Sequence, residues 1–248
     1  MARDHWLLEQ VEQGAIDRPV LRVYGWDVPT LSLGYHQRAD RAVDRDLAAE
    51  MGVAIVRRPT GGRAVLHDRE VTYSVVAPTR GEFTDRISDN YGVIADALAV
   101  FSRSLSGGIS IAPPNGSETV RPSGALPCFA SISNSEIAEG NRKMIGSSQK
   151  LGRGGFLQHG SIPVYNHSLE LQRLTRSPLD LSRFMVTVED ICRLRGASIP
   201  STEVLADRLI AAFEQTFTVH FQRLELTGKD RLDALEIQYA SDSWTFRK

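Results

Sequence analysis

Three segments of this 248-residue chain concentrate the residue types that do chemistry. The first reads Arg57-Arg58-Pro59-Thr60-Gly61-Gly62-Arg63-Ala64-Val65-Leu66-His67-Asp68. Adjacent glycines at 61 and 62 allow positive φ and let the backbone approach a ligand closely, while the flanking guanidiniums of Arg58 and Arg63 can bind an anionic group such as a phosphate. The same run also reads as a tight hairpin with solvated arginines. The second segment, Pro127-Cys128-Phe129, closes a proline-rich loop. A thiol in a loop is within reach of a substrate and can serve as a nucleophile; the other reading of a free cysteine is a small buried hydrophobe. Cys192 fits that second reading, because Ile191, Cys192 and Leu194 lie in an expected amphipathic helix.

The third segment runs from Glu139 to Gln149 and is followed by Leu157-Gln158-His159-Gly160-Ser161. Lys143 opens a strand whose next residues are apolar, so its ammonium can enter a cleft where Gly146 keeps the floor open. A lysine beside a thiol stabilises the thiolate and lowers its pKa. Two plainer readings stand beside these: Lys143 as a surface strand residue, and His159 as a hydrogen-bonded structural histidine.

The elements that must position these residues follow from periodicity. Trp6 to Val11 reads as the end of a short amphipathic helix closed by Gly14. Val20–Tyr24 and Thr30–Gly34 read as strands, as do Val53–Arg57 and Glu70–Ala77, the last by its alternation. One helix is expected over Asp40–Met51, stopped by Gly52. Another spans about Asp85 to Leu105, where Ile87, Tyr91, Ile94, Leu98, Phe101 and Leu105 share a face. Strands follow over Ser135–Ala138, Lys143–Ser148 and Phe156–Val164, with turns at Gly140-Asn141 and Gly152–Gly155. Thr187 with Asp190 forms a capping-box start, and Ser201 caps a helix carrying Leu205, Leu209, Phe213 and Phe217. The order fits an α/β (α+β) layered domain: a mixed, largely antiparallel central sheet flanked by helices.

Composition narrows the partners. Lys+Arg 29 against Asp+Glu 30 gives a formal net charge of −1, so no global basic field points to nucleic acid. Only Lys143, Lys150, Lys229 and Lys248 are lysines, which makes an internal one notable. No apolar run is long enough to span a membrane and the first residues are too polar for a signal peptide, so a cytoplasmic protein is expected, with no membrane partner. Two cysteines in no CxxC or Cys/His pattern imply free thiols and no metal site.

Taken together, RRPTGGRAVLHD, PCF, EGNRKMIGSSQ and LQHGS resemble the lipoate/octanoate attachment family, which shares a fold with lipoate–protein ligase A and biotin–protein ligase. LRVYGW, TLSLG and the closing Tyr239-Ala240-Ser241-Asp242-Ser243-Trp244 extend the resemblance over nearly the whole chain. Within the family the likeness is to the cysteine-dependent octanoyltransferases, because Cys128 precedes the lysine strand and the chain ends soon after Trp244. The resemblance implies one catalytic domain over 1–248 without the ligases' C-terminal accessory domain. It also implies transfer of octanoyl from octanoyl-acyl carrier protein to a lysine of a lipoyl-domain protein, such as the glycine cleavage H protein or a 2-oxoacid dehydrogenase E2, with no cofactor.

On that resemblance Cys128 is the nucleophile, and Lys143 favours its thiolate and donates toward the acyl carbonyl. Arg58, Gly61, Gly62, Arg63 and His67, with Gly146, Ser147, His159 and Gly160, form walls of the acyl and pantetheine site. Arg58, Arg63 and Arg153 steer acidic partners. Members of the family usually carry a strand before the helix matching Met1 to Glu9, whereas this chain begins inside that helix. Three other activities fit the same motifs: an ATP-dependent lipoate or octanoate ligase, an amidotransferase between lipoyl-domain proteins, and a non-catalytic acyl-binding protein.

Overall fold

Two nine-residue strands, β5 (Glu70–Pro78) and β10 (Gly155–Pro163), pair antiparallel at the centre of the protein and are buried along nearly their whole length. In this computed structural model, residues 1–106, 110–111, 137–139, 142–226 and 228–247 are described. β1 (Val20–Tyr24) flanks β5 and β9 (Gly146–Leu151) flanks β10, giving an antiparallel sheet in the order β1-β5-β10-β9. A second sheet places β2 (Thr30–Leu33) between β3 (Ala54–Arg57), which is parallel to it, and β4 (Val65–His67), which is antiparallel. Short strands β6 (Ser110–Ile111), β7 (Ile137–Glu139) and β8 (Arg142–Lys143) make a third, antiparallel sheet.

Helices cover both faces of the main sheet. On one face, α1 (Ala2–Glu12) and α8 (Lys229–Ala240) pack Trp6, Leu7, Leu8, Val11, Leu235 and Tyr239 against Val76 and Leu157. The other face carries Val71, Tyr73, Val75, Phe156 and Ile162 against α4 (Ile87–Ser106), α6 (Val188–Leu194) and α7 (Thr202–Phe217). The second sheet is closed by α2 (Ala39–Ala42), α3 (Arg45–Glu50) and α5 (Ser168–Leu174). This is the mixed, largely antiparallel architecture flanked by helices that the sequence predicts. No described helix is long and apolar enough to cross a membrane.

Three expectations change in detail. The helix over Asp40–Met51 is two helices, because Val43 is extended and Asp44 caps a new start by accepting from the Leu47 amide at 3.1 Å. The strand expected over Lys143–Ser148 is divided: Lys143 belongs to β8 and Gly146 to β9, with Met144 and Ile145 buried between them. β4 was not anticipated as a strand of its own; it carries His67 and pairs with Thr30–Ser32. The capping box at Thr187 and Asp190 is formed as expected, and Ser201 caps α7. Cys192, on α6, lies in the core shared with α4 and α7, as the apolar pattern around it implies.

A last helix, α9 (Asp242–Thr245), brings the end of the described chain back to β3. Arg57, fully buried, donates from Nε to the Thr245 carbonyl at 3.0 Å and from NH1 to the carbonyls of Gly34 (2.7 Å), Tyr35 (3.1 Å) and Gln37 (2.7 Å). Trp244 returns an indole N–H to the Arg57 carbonyl at 3.1 Å. A guanidinium with several rigid donors suits this role, since each carbonyl of a tight turn needs a partner once water is excluded.

Candidate active site

Alternation along β5 and β10 decides where the polar groups gather. Residues 71, 73, 75 and 77 of β5 enter the large apolar core, so Glu70, Thr72 and Ser74 face the other way, and all three are buried. The register sets Ser161 opposite Thr72 and His159 opposite Ser74, with Gly146 opposite Ser161 and Ser148 opposite His159. The result is a buried polar strip across three strands. A narrow cleft opens along it, lined by Tyr24, Arg58, Val65, His67, Thr72 and residues 146–148 and 159–161.

Most of the residues expected at the site meet here. Arg58, His67, Gly146, Ser147, His159 and Gly160 line this one cleft. Gly61, Gly62 and Arg63 are tied to it through Arg58, whose NH2 donates to the carbonyls of Gly61 at 3.1 Å and Arg63 at 2.8 Å. The other terminal nitrogen of Arg58 donates to the Ser32 carbonyl at 2.8 Å and the Ser32 hydroxyl at 2.6 Å. Arg58 therefore shapes the loop from inside. It is 3% exposed, so it does not stand on the surface to steer a partner, whereas Arg153 is exposed. Lys143 is 1% exposed, which excludes the reading of it as a surface residue; it sits three residues before Gly146, with its backbone amide on the Phe184 carbonyl at 2.8 Å. Cys128 lies outside the described residues.

The two glycines of the loop differ. Gly62 has φ +88, the left-handed region that disfavours other residues, while Gly61 does not, so positive φ is needed at one position only. A closer approach, which no sequence motif marks, lies at Gly34. A Cβ on Gly34 would lie 2.8 Å from the Gly62 carbonyl carbon and nearer still to its oxygen, so the turn after β2 supports the loop by direct backbone contact. Because neither backbone can yield without breaking the Arg57 and Arg58 hydrogen bonds, Gly34→Ala is expected to destabilise the protein by about 3 kcal/mol or more. Urea denaturation checks this; a midpoint equal to wild type would mean the turn and loop separate freely.

His159 and Asp4 form the far end of the strip. His159 Nε2 is 2.6 Å from the Thr60 hydroxyl, which in turn is 2.7 Å from the Ser148 hydroxyl, and Nδ1 is 3.9 Å from Asp4. Asp4, fully buried, accepts from Ser74 at 2.7 Å, from Tyr24 at 3.3 Å and from Arg22. Burial opposes its charge, but the Met1 ammonium and Arg22 prevail and hold its carboxyl well below the usual range. Burial pushes His159 down to about 4 against the pull of Asp4. His159 is thus neutral in the fold at neutral pH, and the hydrogen-bonded structural role fits it.

A pH effect on stability follows. The unfolded chain protonates His159 near the ordinary histidine value of about 6.5, so its contribution is complete above that pH and is lost as pH falls toward 4. Between pH 7 and pH 5 the loss from this residue is about 2 kcal/mol. Urea titrations at the two pH values should show a smaller decline in His159→Gln; equal declines would remove His159 from the account.

Glu70, Asp4, Thr60 and Ser32 were not singled out in the sequence. For Glu70 a signal existed: Glu70-Val71-Thr72-Tyr73-Ser74-Val75 alternates polar with apolar, and a polar face buried between layers marks a site instead of a solvated surface. For Asp4 the signal is its place on the stripe 4, 7, 8, 11, where a carboxylate joins three apolar residues on the buried side of α1.

With this geometry in place, comparison with known proteins is decisive. A family model for the lipoyl protein ligase A/B catalytic domain matches residues 1–214. The chain belongs to that family. Octanoyltransferase LipM of Kyrpidia tusciae is 36% identical over 259 residues, spanning 100% of this chain and 94% of the relative. Octanoyltransferase LipM of Moorella thermoacetica is 35% identical over 257 residues, spanning 100% of this chain and 93% of the relative. Among solved structures, a lipoate–protein ligase A bound with ATP superposes with a TM-score of 0.76 at 22% identity, over 97% of this chain and 91% of that one. The ligase likeness gives the fold of the lipoyl protein ligase A/B family, and the full-length relatives are octanoyltransferases.

Proposed function

We propose that this octanoyltransferase takes octanoyl from octanoyl-acyl carrier protein and passes it to a lysine of a lipoyl-domain protein through a thioester on Cys128, in the cytoplasm and without nucleotide. The observation that carries the reading is the full-length likeness to octanoyltransferases, 36% identical to one of them across the whole chain. The span 1–248 acts as one catalytic domain.

The chemistry balances without an activating cofactor. The Cys128 thiolate attacks the carrier's thioester carbonyl, the new C–S bond forms, and the carrier thiolate leaves and takes a proton. Exchange of one thioester for another is close to neutral in free energy. The neutral amine of the acceptor lysine then attacks, its extra proton passes to solvent, the C–S bond breaks with Cys128 leaving as thiolate, and the amide product makes this second step downhill. Lys143 favours the thiolate and donates toward the oxygen on which charge develops. Its burial supports that role, since a charge shielded from water acts more strongly on its neighbours. The loop at Gly61, Gly62 and Arg63, with Ser147 and Gly160 across the cleft, borders the acyl chain and pantetheine arm.

Intact-mass analysis tests the reading. The protein is mixed with octanoyl-acyl carrier protein and an unmodified lipoyl domain, with no nucleotide added. An octanoyl adduct on the enzyme followed by a modified domain is the expected result. Product that appears only with ATP and free octanoate overturns it in favour of a ligase, and product only from an octanoylated lipoyl protein overturns it in favour of an amidotransferase.

A further inference from the structure

Four buried side chains join the floor of the cleft to its glycine loop. Glu70, His67, Ser32 and Arg58 are each at most 4% exposed, and their hydrogen bonds run in one line. The direction of that line is fixed by its ends. Glu70 accepts from the hydroxyls of Thr72 and Ser161 and from His67, so it is a carboxylate that only accepts. Burial would raise its pKa, but the His67 partner and the hydroxyl donors hold it below the usual value. At the other end the Arg58 guanidinium can only donate, and it does so to the Ser32 hydroxyl at 2.6 Å.

Between those ends, the shorter contacts favour one assignment. Ser32 accepts from Arg58 and donates its own proton to His67 Nε2 at 2.6 Å; the competing acceptor, the Val65 carbonyl, is 3.5 Å away. His67 therefore carries its proton on Nδ1 and donates it to Glu70 Oε1 at 2.7 Å. Both ring nitrogens are occupied. What His67 offers the cleft is its ring, stacked on Trp26 with centroids 4.3 Å apart, and not a proton to exchange with substrate. Trp26 is fastened in turn, its indole N–H on Thr72 at 2.8 Å.

We propose that Glu70 and Ser32 are positioning residues for octanoyl transfer: Ser32 holds Arg58 directly, Glu70 holds it through His67 and Ser32, and Arg58 holds the Gly61–Arg63 loop against which the donor's acyl thioester lies. This rests on the transferase reading above. Loosening the loop should weaken the donor's binding more than it slows chemistry at the thioester. Glu70→Gln keeps the shape and removes the charge that anchors the line, and Ser32→Ala removes the link between His67 and Arg58.

The test has a spectroscopic arm and a kinetic arm. Nitrogen-15 shifts of His67 in the wild-type protein should show a protonated Nδ1 and a bare Nε2; a protonated Nε2 overturns the proposal. That readout needs no turnover, so it stands or falls apart from the transferase reading. Kinetically, Glu70→Gln and Ser32→Ala should each raise KM for octanoyl-acyl carrier protein about tenfold with little change in kcat, as loss of a charge-linked hydrogen bond predicts. The double variant should be no worse than the poorer single, because one line is broken only once. Unchanged KM, or effects that multiply, overturns the proposal. Should Glu70→Gln fail to fold, the wild-type spectrum and Ser32→Ala still decide it, and absence of transfer by the wild type condemns the transferase reading alone.

Discussion

Cys128→Ala is expected to form no octanoyl adduct and to transfer octanoyl on the order of a thousandfold more slowly than wild type, or not at all. A covalent route removes one difficult step by dividing it in two, and without the sulfur neither half exists. The second cysteine serves as an internal control. Cys192 is 2% exposed in the apolar core and burial pushes its thiol pKa up, so it neither captures acyl groups nor alkylates at a useful rate. Single-turnover mass spectrometry of wild type, Cys128→Ala and Cys192→Ala separates the two. Retained transfer in Cys128→Ala, or an adduct that vanishes only in Cys192→Ala, would rule out the assignment.

Lys143→Met is expected to lower transfer by about a hundredfold to a thousandfold, the range seen when one donor to a developing oxyanion is removed. Methionine keeps the length and shape of the lysine stem, but loss of one buried charge leaves its interaction partner unmatched, so the urea midpoint should fall and activity is compared where both proteins are folded. The same variant should raise the apparent thiol pKa of Cys128, read as the pH at which iodoacetamide labelling accelerates. A variant that labels like wild type and transfers at half the rate or better would free Lys143 from any part in the reaction.

Much of this arrangement was legible in the order of residues. The long helix after Asp85, the capping residues Thr187 and Ser201, and the assembly of Arg58, His67, Gly146, Ser147, His159 and Gly160 at one place all follow from period, caps and motif. The losses have physical causes. Val43 and Asp44 interrupt a helical pattern because a side-chain cap at Asp44 competes with the continuing helix, and apolar spacing does not register that choice. Lys143 and Gly146 read as one strand, since β-propensity does not say which sheet a residue joins. Arg58 reads as an anion-binding guanidinium because a sequence carries no record of which carbonyls will lie around it. Three of them and a hydroxyl turn an anticipated anion binder into a loop brace. Gly34 was seen only as the end of a strand; the neighbour that makes it a glycine, Gly62, is distant in sequence.

The clasp between Arg57 and Thr245 joins partners 188 positions apart, and that separation matters during biosynthesis. Translation delivers the glycine loop early and the tail last, so a nascent chain exposes an arginine whose final carbonyl partner has not yet been made. Until Thr245 is made, the Nε of Arg57 lacks its carbonyl, although the same guanidinium can already brace the turn at Gly34–Gln37. The buried guanidinium is therefore fully satisfied only once the distant Thr245 segment has docked on it.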